Sequence, residues 1–505
     1  MPVDPRAPVI VGVGQTQQRC EDATLADEPI ALLARAARLA HDDSGARRSL
    51  LERADTIAVP DILSWQYPDP GATLAGLVGA TPSTTVTTTV GGNSPQMLVN
   101  RLAAGIARGE HDIVVIGGAE CVYTRWRARR AEPKVWLQWP EHEGPRCAEI
   151  WGDDRPGSSA YEMAHMALAP TQIYPLFESA IRCEAGASVE QHLARVGALW
   201  SSLSAVAAEN PLAWSRTRYS PDEITTPTAD NRLVTAPYTK RMCANIDVDQ
   251  AAAFILCSYA TATAHGVPDD RMVFPQSGAD AHDHYFFTER ETLTRSPAIT
   301  ATARAALDAA GAGVDDVARF DLYSCFPCAV EIALDALGLG GPGSGDERPV
   351  SVTGGLGFAG GPGNNYVTHS IAAMVDACRR DPGSLGLVTA LGWYVTKHSV
   401  GLYSTTPPEA FTAVDPAAVQ PAIDALPARV PAGAYEGEAT LEASAVVMDR
   451  DGSPNLAILS SITPDGRRAL ANTRDPDTMT SMIAEAWEGR HVKLTTDGDL
   501  NSLAI

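Results

Sequence analysis

The residues best suited to chemistry stand in FDLYSCFPCAVEIALDALGL, residues 320–339. Tyr323 can serve as a general acid or base if its pKa of about 10 is lowered by a cation or hydrogen bonds. The plainer alternative is a strand-end tyrosine bonding locally. Cys325 follows two residues later, and alternate residues of an extended segment share a face, so its thiol is a second candidate for the same pocket or a small buried filler. Cys325 and Cys328 are the tight cysteine pair of the chain. Structural zinc needs a second pair, which is not nearby, and a thioredoxin-like CxxC is the other reading. His369 in NNYVTHS and His398 in WYVTKHS are either bases or satisfied structural histidines. In DAHDH, Asp280, His282, Asp283 and His284 fit neither a helix face nor a zinc finger, so a solvated loop without metal is expected. RWRARR, with Arg125 and Arg127, and nearby Lys134 form a basic patch suited to bidentate phosphate recognition, or an exposed helix face pairing internally.

That patch stands out because the chain is acidic. Its 505 residues carry 39 Lys+Arg against 61 Asp+Glu, a formal net charge of −22. Such a balance argues against nucleic acid or an anionic membrane as the main partner, since both need a basic footprint. No apolar run approaches a membrane span, and MPVDPRAPVIVGVG lacks the charged leader and cleavage site of a secreted protein. A cytoplasmic protein is expected. Nine cysteines without framework spacing read as reduced thiols.

The elements that must position these residues alternate between β-branched apolar runs and helical patterns, the mark of a layered α/β architecture with buried strands. VIVGVG, a helix over about 29–42, DTIAVP, TTVTTTV, a helix over about 94–108 and HDIVVIGG make a βαβαβ-like first pass. A similar order returns in AAAFILCSYA, a helix over about 298–311, RFDLYS, a helix over AVEIALDALGL, PVSVTGG, a helix over 366–379 and SLGLVTALG, which suggests an internal duplication. The expected division is an N-terminal half of residues 1–121 plus 236–265, a cap insert of 122–235 and a C-terminal half of 266–404. A Pro-rich extended linker of 405–432 and a small β-barrel-like domain of 433–505 follow. In the last, Asp451-Gly452 and Asp465-Gly466 mark hairpin turns and a short helix runs through Met482 to Trp487.

Several phrases in order resemble the thiolase superfamily, nearest to sterol-carrier-protein-type thiolases, over roughly residues 6–404. HDIVVIGGAECVY is similar to the family's GGxES strand, with Cys121 in place of Ser. NIDVDQAAAFILCSYATATAHG is similar to its DGAAA phrase, and FDLYSCFPCAVEIALDALGL to its HDCF phrase. The resemblance implies a duplicated α/β/α/β/α fold with a cap insert, and the small β-rich domain read from its strand and turn pattern follows it. In the family a nucleophilic Cys at a helix start, a His in a GHP loop and a second Cys in a CxG loop do the chemistry.

None of those three positions keeps its residue. VGGNSPQ puts Gly91 at the nucleophile, TGGLGFAGGPG puts Gly361 at the histidine, and ALG puts Ala390 at the second cysteine. Losing a covalent nucleophile costs on the order of 10⁴-fold in rate, so ordinary thiolysis is not expected. What the resemblance leaves is binding of CoA or an acyl-CoA, with no further cofactor and no metal. The contacts would be Gly91, Asn93, Ser94, Phe326, Gly360, Gly361, Ala390 and Gly392 around the pocket, with Arg125 and Arg127 on the phosphates. Tyr323 with Cys325 is the catalytic alternative, because thiolase-like retro-aldolases use a tyrosine at this place; Tyr366 is the nearest residue to their second. A third reading is a scaffold whose C-terminal domain recruits a partner chain. Family members dimerise through the strand equivalent to TTVTTTV; a homodimer, or a monomer if an appended domain covers that edge, is expected.

Overall fold

The computed structural model describes residues 3–341, 346 and 348–504. In the first half β1 (Pro8–Gln17), α1 (Pro29–Asp43), β2 (Thr56–Val59), α2 (Pro70–Val78), β3 (Thr84–Thr88), α3 (Ser94–Arg108) and β4 (Ile113–Cys121) follow one another. The insert supplies α4 (Val122–Arg130), β5 (Glu149–Trp151), α5 (Ala160–Ala164), α6 (Pro170–Glu184), α7 (Val189–Glu209), α8 (Pro221–Thr225), β6 (Leu233–Ala236) and β7 (Tyr238–Thr239). The chain then re-enters the first sheet with β8 (Asp249–Ser258) and turns through α9 (Tyr259–Ala264).

The second half runs β9 (Phe274–His282), α10 (Pro297–Ala309), β10 (Val317–Asp321), α11 (Pro327–Leu337), α12 (Gly355–Phe358), α13 (Tyr366–Arg380), β11 (Leu385–Gly392) and β12 (Lys397–Ser404). The first sheet has the order β1-β8-β4-β2-β3-β5. The second, completed by β13 (Thr412–Ala413), has β10-β11-β12-β9-β13. Superposing the orders makes β9, β12, β11 and β10 the counterparts of β1, β8, β4 and β2. That is the duplication expected from sequence.

PVSVT was expected as the counterpart of β3, and it is not a regular strand. Two backbone bonds hold it beside β10, Phe320 N–H to Pro349 O at 3.0 Å and Leu322 N–H to Val350 O at 2.9 Å. The amides of Val352 and Thr353 bond instead to the buried Asp321 carboxylate, at 2.9 and 3.2 Å, which ends the ladder. Helices α3 and α13 lie between the sheets, so even their polar residues are buried. Gln96 and Asn100 on α3 bond each other at 2.9 Å, and Tyr403 donates to Gln96 at 2.7 Å.

Residues 405–432 were expected to be extended, but they contain α14 (Pro416–Asp424). Asp415 caps it by accepting from Ala417 N–H, and Pro416 sits at the first helical position, where its missing N–H costs nothing. Val419 and Ile423 then bury against Ala298 on α10.

In the C-terminal domain β14 (Gly437–Met448), β15 (Pro454–Ile462), β16 (Arg468–Thr473), β17 (His491–Asp497) and β18 (Leu500–Leu503) pair in the circuit β14-β15-β16-β18-β17-β14. Gly452 and Gly466 occupy their turns at φ 89° and 84°, where glycine escapes a Cβ clash. The helix lies earlier than expected: α15 is Pro476–Ala484, fixed by the Asp475 cap on Thr478 N–H. The barrel is joined to the body by β6 and β7 of the insert, which extend its sheet from β14, and by Arg468. That arginine, fully buried, bonds Glu442 at 2.7 and 2.8 Å and the carbonyls of Phe287 and Thr288 at 3.0 and 3.2 Å. Among the described residues no helix is long and apolar enough to cross a membrane.

Candidate functional site

Four loops converge where the two halves meet. The turn between β3 and α3 carries Gly91 and Gly92; Gly91 N–H donates to Asn364 Oδ1 at 2.9 Å, in the loop before α13. The end of β11 closes on the same turn: a Cβ on Gly392 would lie 3.3 Å from the Gly91 Cα, and one on Gly92 only 2.5 Å from Leu391 O. Tyr323 comes from the loop after β10. A Cβ on Gly92 would stand 2.2 Å from its hydroxyl oxygen and 2.8 Å from Cζ. The glycine facing Tyr323 is thus Gly92, one residue beyond the expected Gly91, whose own Cβ direction meets Asn93 Oδ1 and Lys397 Nζ.

Tyr323 occupies the volume a side chain at 92 would need. Its hydroxyl has no hydrogen-bond partner among the described residues, and burial, with a smaller contribution from Cys325, pushes its pKa up. Among the described residues no neighbouring cation pulls it back down toward the range of a base. Tyr366 packs edge-on to it, centroids 5.6 Å apart, but turns its hydroxyl to Asp321 and Thr353 at 3.0 and 2.6 Å. Cys325 is buried and its thiol is pushed up to about 12 by burial, so it stays protonated.

The other expected contacts are mostly structural. Phe326 stacks between Tyr174, at 4.5 Å, and Tyr238, at 5.4 Å, clamping the insert onto the start of α11. Gly360 adopts φ 115° against Gln250, where a Cβ would lie 2.1 Å from Oε1. Gly361 N–H is taken by Asn245 O at 2.8 Å, so with Gly91 N–H already used, neither amide is free for a thioester oxygen. Ala390 is buried in the β11 ladder opposite Ser399. Asn93 and Ser94 face a different cavity, described below. His369 is held by Gln15 at 2.8 Å and pushed down to about 3 by burial, hence neutral; His398 is buried against Asp283 at 3.3 Å. Asp280 and His282 belong to β9 and Asp283 is buried on Ser296 and His398, so DAHDH is not the solvated loop expected.

Immediately outside these loops lies a cavity of about 920 Å³. Ala244, Asn245, Gly357 and Phe358 form its inner wall, and Ala244 N–H donates to Cys325 O at 2.9 Å, so the wall is one residue thick before the converging loops. Arg127, Arg130, Lys240 and Arg241 line it beside Tyr123, Trp126, Trp214 and Tyr219. Arg130 lies over Trp126 at 4.9 Å and Arg241 over Tyr219 at 4.4 Å. Acidic Glu21, Asp22, Asp230 and Asp247 are on the rim, yet none of the four cations is ion-paired within 4.0 Å among the described residues. Helical spacing explains which arginines arrive: Tyr123, Trp126, Arg127 and Arg130 share one stripe of α4, whereas Arg125 points away from the cavity. Sequence reasoning missed Trp214, Tyr219, Lys240 and Arg241. The dibasic Lys240-Arg241 shortly before the DGAAA-like phrase was the available signal.

A buried cluster joins α6, α7 and α11. Ligand atoms of Glu178, His192 and Glu331 lie within 4.8 Å of one another. Arg195 donates to His192 Nδ1 at 3.0 Å, so the imidazole proton is on Nε2 and directed at Glu178; Tyr238 donates to the other Glu178 oxygen at 2.5 Å. The imidazole lone pair is spent on Arg195, and the set suits a proton-sharing network better than a cation.

Comparison with known proteins gives consistent results. Residues 418–499 match the thiolase-like protein type 1 additional C-terminal domain, and residues 279–378 the thiolase C-terminal domain-like family. Among solved structures, a monomeric SCP2-thiolase-like protein type 1 from Mycobacterium smegmatis is 33% identical, each chain covered in full, with a TM-score of 0.85. An Ltp2-ChsH2(DUF35) aldolase is 19% identical over 79% of this chain and 98% of its own, TM-score 0.59. Human mitochondrial 3-ketoacyl-CoA thiolase is 15% identical over 80% and 100%, TM-score 0.55. No curated protein matches.

Proposed function

Because the chain belongs to the SCP2-thiolase-like protein type 1 family of the thiolase superfamily, we propose that it binds CoA or an acyl-CoA thioester in the cavity beneath α4 without cysteine-dependent thiolase chemistry. One observation carries the reading: four cations without a carboxylate ion pair among the described residues line a 920 Å³ space together with four aromatic faces. Guanidinium groups bind phosphates bidentately and aromatic faces stack purines, so the set suits a nucleotide carrying a pyrophosphate and a further phosphate. The pantetheine arm would run toward Ala244 and Asn245. Behind that wall lies a centre with no nucleophilic side chain at Gly91 or Gly92, no imidazole at Gly361 and Tyr323 standing over Gly92.

The lyase alternative, cleavage of a β-hydroxyacyl-CoA through Tyr323, asks for a phenol that loses its proton readily. Burial works against that, and the free hydroxyl suits hydrogen-bond donation to a thioester oxygen better than proton abstraction. The two readings separate in one experiment. Calorimetric titration of acyl-CoAs should show binding that Arg127→Ala and Arg241→Ala weaken about tenfold each, as loss of a charge-assisted phosphate contact does. Release of an aldehyde or ketone, lost in Tyr323→Phe, would favour the lyase. A monomer is part of this proposal: β5 pairs in parallel with β3, Val86 opposite Glu149 and Thr88 opposite Trp151, and covers the edge through which a thiolase-type dimer would form. The covering element is thus the insert's own strand.

A further inference from the structure

A second cavity, of about 300 Å³, opens on the Gly91 side of the β3–α3 turn. Lys397, at the start of β12, lines it together with Asn93, Arg101, Asp280 and His282. The lysine is 6% exposed. Its Nζ donates to Val90 O at 2.6 Å and Asp153 O at 3.2 Å, and it has no carboxylate ion pair among the described residues. Two carbonyl dipoles do not neutralise an ammonium, so burial favours the free amine and lowers its pKa to about 8. Asn93 Oδ1, buried on the same cavity, has no hydrogen-bond partner among the described residues.

The sheet register brings a carboxyl group to the same face. Lys397 is opposite His282 and Ser399 is opposite Asp280, and residues two apart on a strand share a face, so Lys397 and Asp280 are diagonal neighbours. Burial raises the Asp280 carboxyl and Asn100 Nδ2 donates to it at 3.2 Å.

We propose that Lys397 is a reactive amine that takes up small aldehydes or ketones in this cavity as imines. The Nζ lone pair attacks the carbonyl carbon, the C=O π pair moves to oxygen, and the Asp280 carboxylate carries one proton from nitrogen to that oxygen. It then carries the second nitrogen proton to the hydroxyl; the C–O bond breaks, water leaves and the nitrogen pair forms the C=N bond. Amine plus carbonyl gives imine plus water, so no oxidant or reductant is consumed. The proposal is independent of CoA binding in the larger cavity.

The other lysines, Lys134, Lys240 and Lys493, are exposed and serve as internal references. The wild-type protein is treated with acetaldehyde and cyanoborohydride at pH 7, and N-ethylation of each lysine is timed by peptide mapping. An amine with pKa 8 is about one-tenth free at pH 7, against about one in 2,500 for an ordinary lysine near 10.4. Lys397 is expected to react at least tenfold faster than the references, with the advantage shrinking toward pH 10. Asp280→Asn, which keeps the side-chain shape, should slow Lys397 several-fold and leave the references unchanged. Lys397 reacting no faster than the exposed lysines overturns the proposal; an unchanged rate in Asp280→Asn overturns the role of Asp280.

Discussion

Gly92→Ala is the smallest change that probes whether Tyr323 fills the space over Gly92. The added methyl would lie 2.2 Å from the Tyr323 hydroxyl, 2.8 Å from its Cζ and 2.5 Å from Leu391 O. The phenol can tilt, but Leu391 is held in the β11–β12 ladder opposite His398, so the carbonyl yields little. Overpacking of this kind costs about 2–3 kcal/mol. Tyr323→Phe removes a hydroxyl without a partner and should change stability by less than about 0.5 kcal/mol. Combined, the two should recover about 1 kcal/mol of the Gly92→Ala cost, because the worst contact goes and the Leu391 contact stays. Urea unfolding followed by tryptophan fluorescence measures all three. An unchanged midpoint in Gly92→Ala, or strictly additive effects in the double variant, would refute the placement of Tyr323 over Gly92 and reopen the site to a side chain there.

Three further outcomes are expected. Burial, with Glu178 next to it, raises Glu331 to about 8 from an ordinary 4.5; a raised acid favours folding while it stays protonated, so its contribution is whole below about pH 4.5 and is lost as pH rises through about 8. Glu331→Gln, whose neighbours are Glu178, His192, Arg195 and Tyr238, should therefore flatten thermal stability over that window and exceed the wild type above pH 8. Arg468→Leu leaves Glu442 and the Phe287 and Thr288 carbonyls without their donor and should cost about 3–5 kcal/mol, read as a lower melting temperature and faster proteolytic cleavage around residues 425–436; full protection there would show that the barrel is anchored otherwise. Sedimentation equilibrium should return one chain per particle at micromolar concentration, and a dimer would mean that β5 does not block the β3 edge.

Much of the fold is legible because buried strands and amphipathic helices repeat in order. The helices around 29–42, 94–108 and 366–379 lie within a residue or two of α1, α3 and α13. PVSVT fails as a strand for a reason local sequence does not display: Asp321, thirty residues earlier, takes its amides. The linker fails in the other direction, since counting prolines hides that Pro416 follows a capping Asp415. At the site, VGGNSPQ displays two adjacent glycines, but which of them faces Tyr323 depends on the conformation of the turn. That RWRARR would put arginines on a cavity was legible; which of Arg125 and Arg127 lines it depends on the phase of α4. Lys397 looked unremarkable in WYVTKHS because its burial comes from contacts with residues 90 and 153.

Recognition of the CoA phosphates by the cavity beneath α4 is tested by titrating the protein with CoA, dephospho-CoA and pantetheine by calorimetry at fixed ionic strength. Micromolar binding of CoA, a loss of about tenfold without the 3′-phosphate and no detectable binding of pantetheine are expected. Equal affinity for CoA and pantetheine, or no heat with millimolar CoA, would contradict it.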